Sequence, residues 1–335
     1  KTKGMERLLT SKRELFECFK DVGLDFIIIW PYDQGGCTCK ACYPWGVNGF
    51  FRLAQKEAEL VREVFKESRV ILSAWRFDTF TRGEWDGFLE KVQNNGDWFD
   101  ALMVDILDNL PESAKALQKP ILAFPEISMT GAVPWGGFGA NPFPVLLQKS
   151  FAAVNDFCAG GMSYSEGIFE DINKIVTLRL YWGDVNVKEI VEGYCRFYFG
   201  KGHAREIADI ILALEKTLER HRYIEENIVE DYPASPPEKL PRFSIGQKET
   251  IESIYLAVAA LDEKLPASVR GSWRWRIIYL RACGDYALYK NDFVPNEESD
   301  FYLNQLNDIY FSQESDYFVA PLTQKSIFEN RGAIV

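Results

Sequence analysis

At 335 residues, 47% of them apolar and 26% charged, the chain is globular in composition and long enough for two domains, or for one barrel with an appendage. A net charge of −11 argues against a nucleic-acid partner, since a phosphate backbone is bound by a clustered basic face. The longest strong apolar run, Phe26–Trp30, is too short to cross a bilayer, whereas an acidic surface is compatible with a neutral sugar polymer.

Residues 1–183 alternate short apolar runs with amphipathic segments. The runs are Asp25–Trp30, Arg69–Trp75, Ala101–Ile106, Lys119–Ile127 and Gly160–Glu166, each apolar on both faces as a strand buried on both sides must be. Between them, Val47–Phe65 carries Phe50, Leu53, Ala54, Ala58, Val61, Val64 and Phe65 on one helical stripe. Thr81 and Glu84 have the spacing of a capping box opening a helix over Glu84–Val92. Pro111 stands where a helix over Glu112–Gln118 would begin, and Pro142–Cys158 and Asp171–Trp182 complete the series. Strands alternating with helices predict a parallel sheet.

Beyond Trp182 the strand pattern stops. Helices are predicted over Val187–Phe199, closed by Gly200, and over His203–Glu226. A connector with Pro233, Pro236, Pro237 and Pro241 follows, and helical patterns resume at Gly246–Leu265, Trp273–Lys290 and Asn296–Phe311. The expected division is an α/β part at 1–183 and an all-helical part at 184–335. Five strand–helix units are visible, and a closed (β/α)8 TIM barrel needs eight. An open doubly wound sheet would need a crevice marked by a phosphate-binding or dinucleotide glycine pattern, which the sequence lacks. The expectation is therefore the C-terminal five units of a TIM barrel, the first three lying upstream, followed by the helical domain. The sequence begins with Lys1, so a removed signal peptide and a longer upstream region both fit, and localisation and oligomeric state stay open.

Barrel chemistry sits at the C-terminal ends of the strands. Each of the five ends here supplies a carboxylate to a common rim: Asp33, Asp78, Asp105, Glu126 and Glu166. Crowded carboxylates suit glycoside hydrolysis, which pairs a protonated acid with an ionised partner. Each acid also has a structural alternative, pairing with Arg76 or capping the next helix. Trp30, Tyr32, Trp75, Trp135 and Tyr164 flank the acids as candidate sugar-binding surfaces, with Arg76, Asp78 and Glu166 as polar partners. Pro134–Gly139 reads as a glycine-rich loop able to approach a ligand closely. The two histidines, His203 and His221, fall in the helical part, which argues against a Ser–His–Asp or Cys–His mechanism on the rim and excludes a His-rich catalytic metal centre there. The chemistry needs no cofactor. Cys37, Cys39 and Cys42 have thiolate-ligand spacing for a structural zinc; a disulfide to Cys18, Cys158, Cys195 or Cys283, or reduced thiols, are the alternatives.

The stretch from Trp30 through Pro31, Tyr32 and Asp33 to Cys42 resembles the strand-four end of barrel glycoside hydrolases with a Cys-rich loop. Tyr164–Asn173 is similar to the strand-eight region of the same bacterial group, and Glu189–Gly200 to the helix that opens the helical domain of α-glucuronidases. The broader resemblance, over most of residues 11–290, is to α-glucuronidase and β-hexosaminidase-like barrels. It implies that Asp33 stands at the strand-four acid, Asp105 at strand six and Glu126 at strand seven. The family acid is Glu, and the shorter Asp33 departs from it. The reading is a glycoside hydrolase with Glu126 as nucleophile or base, Asp33 as acid and Asp105 assisting. Its rivals are a non-catalytic carbohydrate-binding barrel and a divalent-metal lyase or isomerase on Asp33, Asp105 and Glu126.

Overall fold

The computed structural model describes residues 2–31, 36–78, 81–105, 112–128, 142–165, 169–183, 186–217 and 248–310. The described chain opens with α1 (Thr2–Phe19), β1 (Phe26–Ile29), a π-helical turn at Gly46–Phe50 and α2 (Phe51–Val64). It continues with β2 (Arg69–Ser73), α3 (Glu84–Asn95), β3 (Ala101–Asp105), α4 (Glu112–Lys115), β4 (Ile121–Phe124), β5 (Glu126–Ser128) and α5 (Pro144–Ala152). Then come β6 (Cys158–Gly161), β7 (Tyr164–Ser165), α6 (Asp171–Trp182), α7 (Val187–Phe199) and α8 (Ala204–Leu214). The last helices are α9 (Lys248–Lys264), α10 (Ala267–Arg270), α11 (Trp273–Lys290) and α12 (Glu297–Tyr310). Contacts gather these elements into two compact units, one of residues 1–125 and 154–162 and one of 126–153 and 163–335.

The first unit is built on a five-stranded parallel sheet in the order β1-β2-β3-β4-β6. This is the sheet that alternating strands and helices predict. Its strands are rich in β-branched and apolar residues, and Ile29, Leu72 and Leu102 fall side by side in register. One face, carrying Val70, Leu72, Leu102, Val104 and Ile121, packs under α1, α2 and α3 against Phe16, Ala54, Ala58, Val61 and Phe88. The other face carries Ile71, Met103 and Phe124, with Ala101, Leu122, Trp30 and Trp75 beside them. On that face Phe26 is 57% exposed and Ile28, the register partner of Ile71, 37%.

Two predicted strands are each divided. Lys119–Ile127 becomes β4 and β5, parted at Pro125, which has no N–H to give a ladder. Gly160–Glu166 becomes β6 and β7, parted at Met162–Ser163. The second halves, β5 and β7, pair with each other in a separate parallel ladder within the second unit. That unit is otherwise helical. Its core gathers Val176 and Leu180 of α6, Ile190, Val191 and Cys195 of α7, Ile207 and Ile211 of α8, Val258 and Leu261 of α9, and Trp275 of α11. Helices α6, α7 and α11 have the predicted limits, the latter two opened by Asn186, which accepts the Lys188 N–H, and Ser272, which accepts that of Trp275. The helix predicted over His203–Glu226 tightens after Leu214 into a 3₁₀ turn at Glu215–Thr217. The proline-rich connector lies outside the described residues.

The expected capping box at Thr81 is corrected. The N-cap of α3 is Gly83, in the left-handed region at φ 83°, with no side-chain cap of its own. Asp78, six residues before Glu84, does the capping: its Oδ1 accepts the Glu84 N–H at 2.6 Å while its own N–H donates to Glu84 Oε2 at 3.2 Å. The reciprocal exchange of a capping box is thus kept, closed by a looped turn rather than by three-residue spacing.

Candidate functional site

In the first unit the strand ends present an aromatic floor. Trp30 follows β1 and Trp75 lies two residues beyond β2; their ring centroids are 5.6 Å apart at an interplanar angle of 38°. Phe124, the last residue of β4, meets Trp30 nearly edge-on at 4.8 Å. Ile71 and Met103 pack beneath, so the rings are seated on the sheet by burial, while both indoles stay partly open. Arg76 carries its guanidinium 5.1 Å from the Trp75 ring centroid, a cation–π distance.

The backbone after β2 is unusual. Arg76 and Asp78 both have φ near 61°, in the left-handed region that non-glycine residues seldom adopt. Between them Phe77 is 4% exposed and packs among Phe50, Trp85 and Phe88. The buried aromatic holds the turn, and the turn brings Arg76 to the floor and Asp78 to the start of α3. Glu84 completes the lock by accepting the Gly46 N–H at 2.7 Å. Burial pushes the Glu84 carboxyl above the usual range, and the N–H groups of Gly46 and Asp78 oppose that shift.

Between β1 and α2, Cys37, Cys39 and Cys42 bring their sulfurs within 4.8 Å of one another. The Cys42 and Tyr43 N–H groups both donate to the Cys39 carbonyl, closing the turn that draws Cys39 and Cys42 together. Arg52 of α2 donates to Cys42 Sγ at 3.8 Å. Burial first, then hydrogen bonds and like-charge repulsion from Cys39 and Cys37, push the Cys42 thiol up. An open polar groove of about 610 Å³ runs between α2 and α3 past Asn48, Arg52, Glu90 and Lys91, away from the strand ends.

In the second unit, the β5–β7 ladder sets Glu126 opposite Tyr164 and Ser128 opposite Ser165. Two residues singled out by sequence are thereby adjacent. The structure adds one that sequence reasoning missed. Glu170, at the N-cap of α6, is fully buried; Ser165 Oγ donates to its Oε1 at 2.9 Å, and among the described residues its Oε2 has no partner. Its place just before a helix reads as an ordinary acidic cap, so only burial reveals it. Next in sequence, Asp171 accepts from Tyr194 Oη at 2.9 Å and Arg274 Nε at 2.7 Å, which fastens α6 to α7 and α11.

Of the remaining candidates, Asp105 ends β3 in register with Phe124, so a carboxylate-bearing residue closes the strand beside the aromatic floor. Tyr32, Asp33, Trp135 and Glu166 lie outside the described residues, as does the loop at 134–139. The structure therefore gathers Trp30, Trp75 and Arg76 in one unit and the backbones of Glu126 and Tyr164 in the other. Asp78 takes the structural alternative open to each acid, capping the next helix.

No family model matches this sequence, and no curated protein matches it by sequence search. Solved structures do match its fold. A GH115 4-O-methyl-α-glucuronidase with specificity for decorated arabinogalactans aligns with a TM-score of 0.56 over 91% of this chain and 44% of that one, at 13% identity. A family 89 glycoside hydrolase from Clostridium perfringens aligns with a TM-score of 0.50 over 85% of this chain and 33% of its own. It does so both in complex with its substrate GlcNAc-α-1,4-galactose, at 13% identity, and with 2-acetamido-1,2-dideoxynojirmycin, at 14%. The chain thus spans less than half the length of these neighbours and shares a glycoside-hydrolase-like fold with them. Among the described residues, no helix is long and apolar enough to cross a membrane.

Proposed function

We propose that this chain is the C-terminal part of a (β/α)8-barrel glycoside hydrolase, with barrel units at 1–183 and a helical domain at 184–335. Three further strand–helix units complete the barrel. The observation that carries the reading is the aromatic floor of Trp30, Trp75 and Phe124 at the C-terminal ends of parallel strands. The flat, partly open rings of Trp30 and Trp75, backed by the buried Phe124, match the apolar faces of a pyranose ring, and the edge is where barrel enzymes work. The strained turn at Arg76 and Asp78 supports it, since backbone strain gathers at functional sites. So do the register positions of Asp105 beside the floor and Glu126 beside Tyr164.

In this mechanism Asp33 protonates the leaving oxygen, Glu126 acts as nucleophile at the anomeric carbon or as base on the attacking water, and Asp105 tunes charge or binds sugar hydroxyls. Trp30, Tyr32, Trp75, Trp135 and Tyr164 hold the sugar faces, Arg76 binds hydroxyl or carboxylate groups and Glu166 binds hydroxyls, while Asp78 caps α3. The substrate classes to try first are those named for the structural neighbours, 4-O-methyl-glucuronosyl side chains of arabinogalactan and α-linked N-acetylglucosamine.

The test is Glu126→Gln in the full-length protein against a panel of both substrate classes. Turnover is expected to fall by about 10²–10⁴-fold with an unchanged melting temperature, the cost of losing a positioned acid–base group. Turnover equal to wild type would remove Glu126 from the chemistry. Binding in a glycan array with no turnover by the wild type would favour a carbohydrate-binding barrel instead.

A further inference from the structure

We propose that Cys37, Cys39 and Cys42 bind one zinc ion through their three thiolates. A tetrahedral zinc with bonds of about 2.3 Å to sulfur needs sulfurs about 3.8 Å apart. The three here lie within 4.8 Å of one another before any ion draws them in. The closure is local, because all three belong to one short loop and the Cys39 carbonyl already ties the turn through the N–H groups of Cys42 and Tyr43.

The surroundings are built for a charged cluster. Three thiolates on a divalent ion leave a net charge of −1, and the Arg52 guanidinium is placed to donate to Cys42 Sγ. The loop is also clamped from behind by Trp45. A Cβ at Gly36 would come within 2.2 Å of the Trp45 ring and one at Gly49 within 2.0 Å, so the indole is sandwiched between two glycine surfaces. Gly36 also has φ +72°, which suits glycine. Among the described residues no fourth Cys, His, Asp or Glu joins the group. Soft thiolates favour zinc, copper(I) or iron–sulfur clusters, but clusters of the latter kind ordinarily take four cysteines.

The ion's job is structural. It ties the loop between β1 and α2 at its middle, so that the chain leaving the end of β1 next to the aromatic floor returns along a fixed path. Because its readout is metal content, the test is separate from glycosidase activity. The full-length protein, purified without chelator, is measured for metal by elemental analysis and for mass under non-reducing conditions. About one zinc per chain is expected, with the three thiols released to a thiol reagent only as the zinc is displaced. Replacement by cobalt(II) should give a sulfur-to-metal charge-transfer band.

Cys37→Ser, at the exposed member of the group, is expected to weaken zinc affinity by at least about 100-fold and to dim that band. Arg52→Met should weaken affinity by about 10-fold, as loss of an outer-shell partner does. Cys158→Ser, outside the cluster, controls for folding and should keep the metal. Wild-type protein without zinc, a mass showing a disulfide among the three, copper or iron in its place, or a Cys37→Ser protein that keeps full zinc affinity would each overturn the site.

Discussion

Asp78 shows how one side chain can be read two ways until its partners are known. From sequence it is one of five acids at strand ends; in the structure its carboxylate is committed to the Glu84 N–H, and its backbone sits in the left-handed region. Both facts predict how it tolerates change. Asn keeps an acceptor at the same atom and adopts that backbone readily, so Asp78→Asn should leave the melting temperature close to wild type. Asp78→Ala loses the cap and also pays the conformational cost, and should destabilise by about 2–3 kcal/mol in denaturant titrations. Equal stability of the two variants would show that the cap does not hold α3. The capping partner was not legible in the sequence because the turn that brings residue 78 back to 84 is set by burial of Phe77, a tertiary contact. Glu170 was missed for the same kind of reason: nothing in its neighbours along the chain marks it as buried.

Elements were far more legible than their partners. Helices α6, α7 and α11 have the limits that apolar spacing and flanking turn residues predict, because those signals act within a few residues. The divisions of β4 from β5 and of β6 from β7 were hidden, since apolarity reports burial and not which neighbour a strand pairs with. Helix α2 carries an electrostatic consequence of its packing. Glu57, 5% exposed, faces α1, where the half-exposed Lys12 places its Nζ 3.8 Å away. Burial raises the Glu57 pKa above its usual value, and Lys12 only partly opposes it. A carboxyl raised in the folded state binds more protons folded than unfolded. Its contribution is complete below the ordinary carboxylate pKa and is lost as pH climbs through the raised value. Stability of the first unit should therefore decline over that window, and Glu57→Gln should flatten the decline in chemical unfolding followed at several pH values. An unchanged slope in the variant would place the titrating group elsewhere.

At the scale of the molecule, the two faces of the five-stranded sheet are treated unequally. Val70, Leu72, Leu102 and Val104 are fully covered by helices; on the opposite face Ile71, Met103 and Phe124 are buried too, but Phe26 and Ile28 of the edge strand β1 and, beyond β6, Met162 are 57%, 37% and 41% exposed. Parallel sheets are ordinarily buried on both faces, because each unpaired apolar side chain left in water forgoes up to about 1.5–3 kcal/mol. An exposed apolar edge strand is what the proposed barrel would leave where its further units join. The sequence pattern shows five strand–helix units, and the sheet of the first unit has five parallel strands with the apolar edge strand β1 exposed. If three further strand–helix units close over Phe26 and Ile28, the 335-residue chain alone should enhance the fluorescence of an apolar-surface dye several-fold, and the product of the full reading frame should not. Weak, equal dye binding by both would mean the face needs no further strands, and the proposed barrel would have to give way to an open sheet.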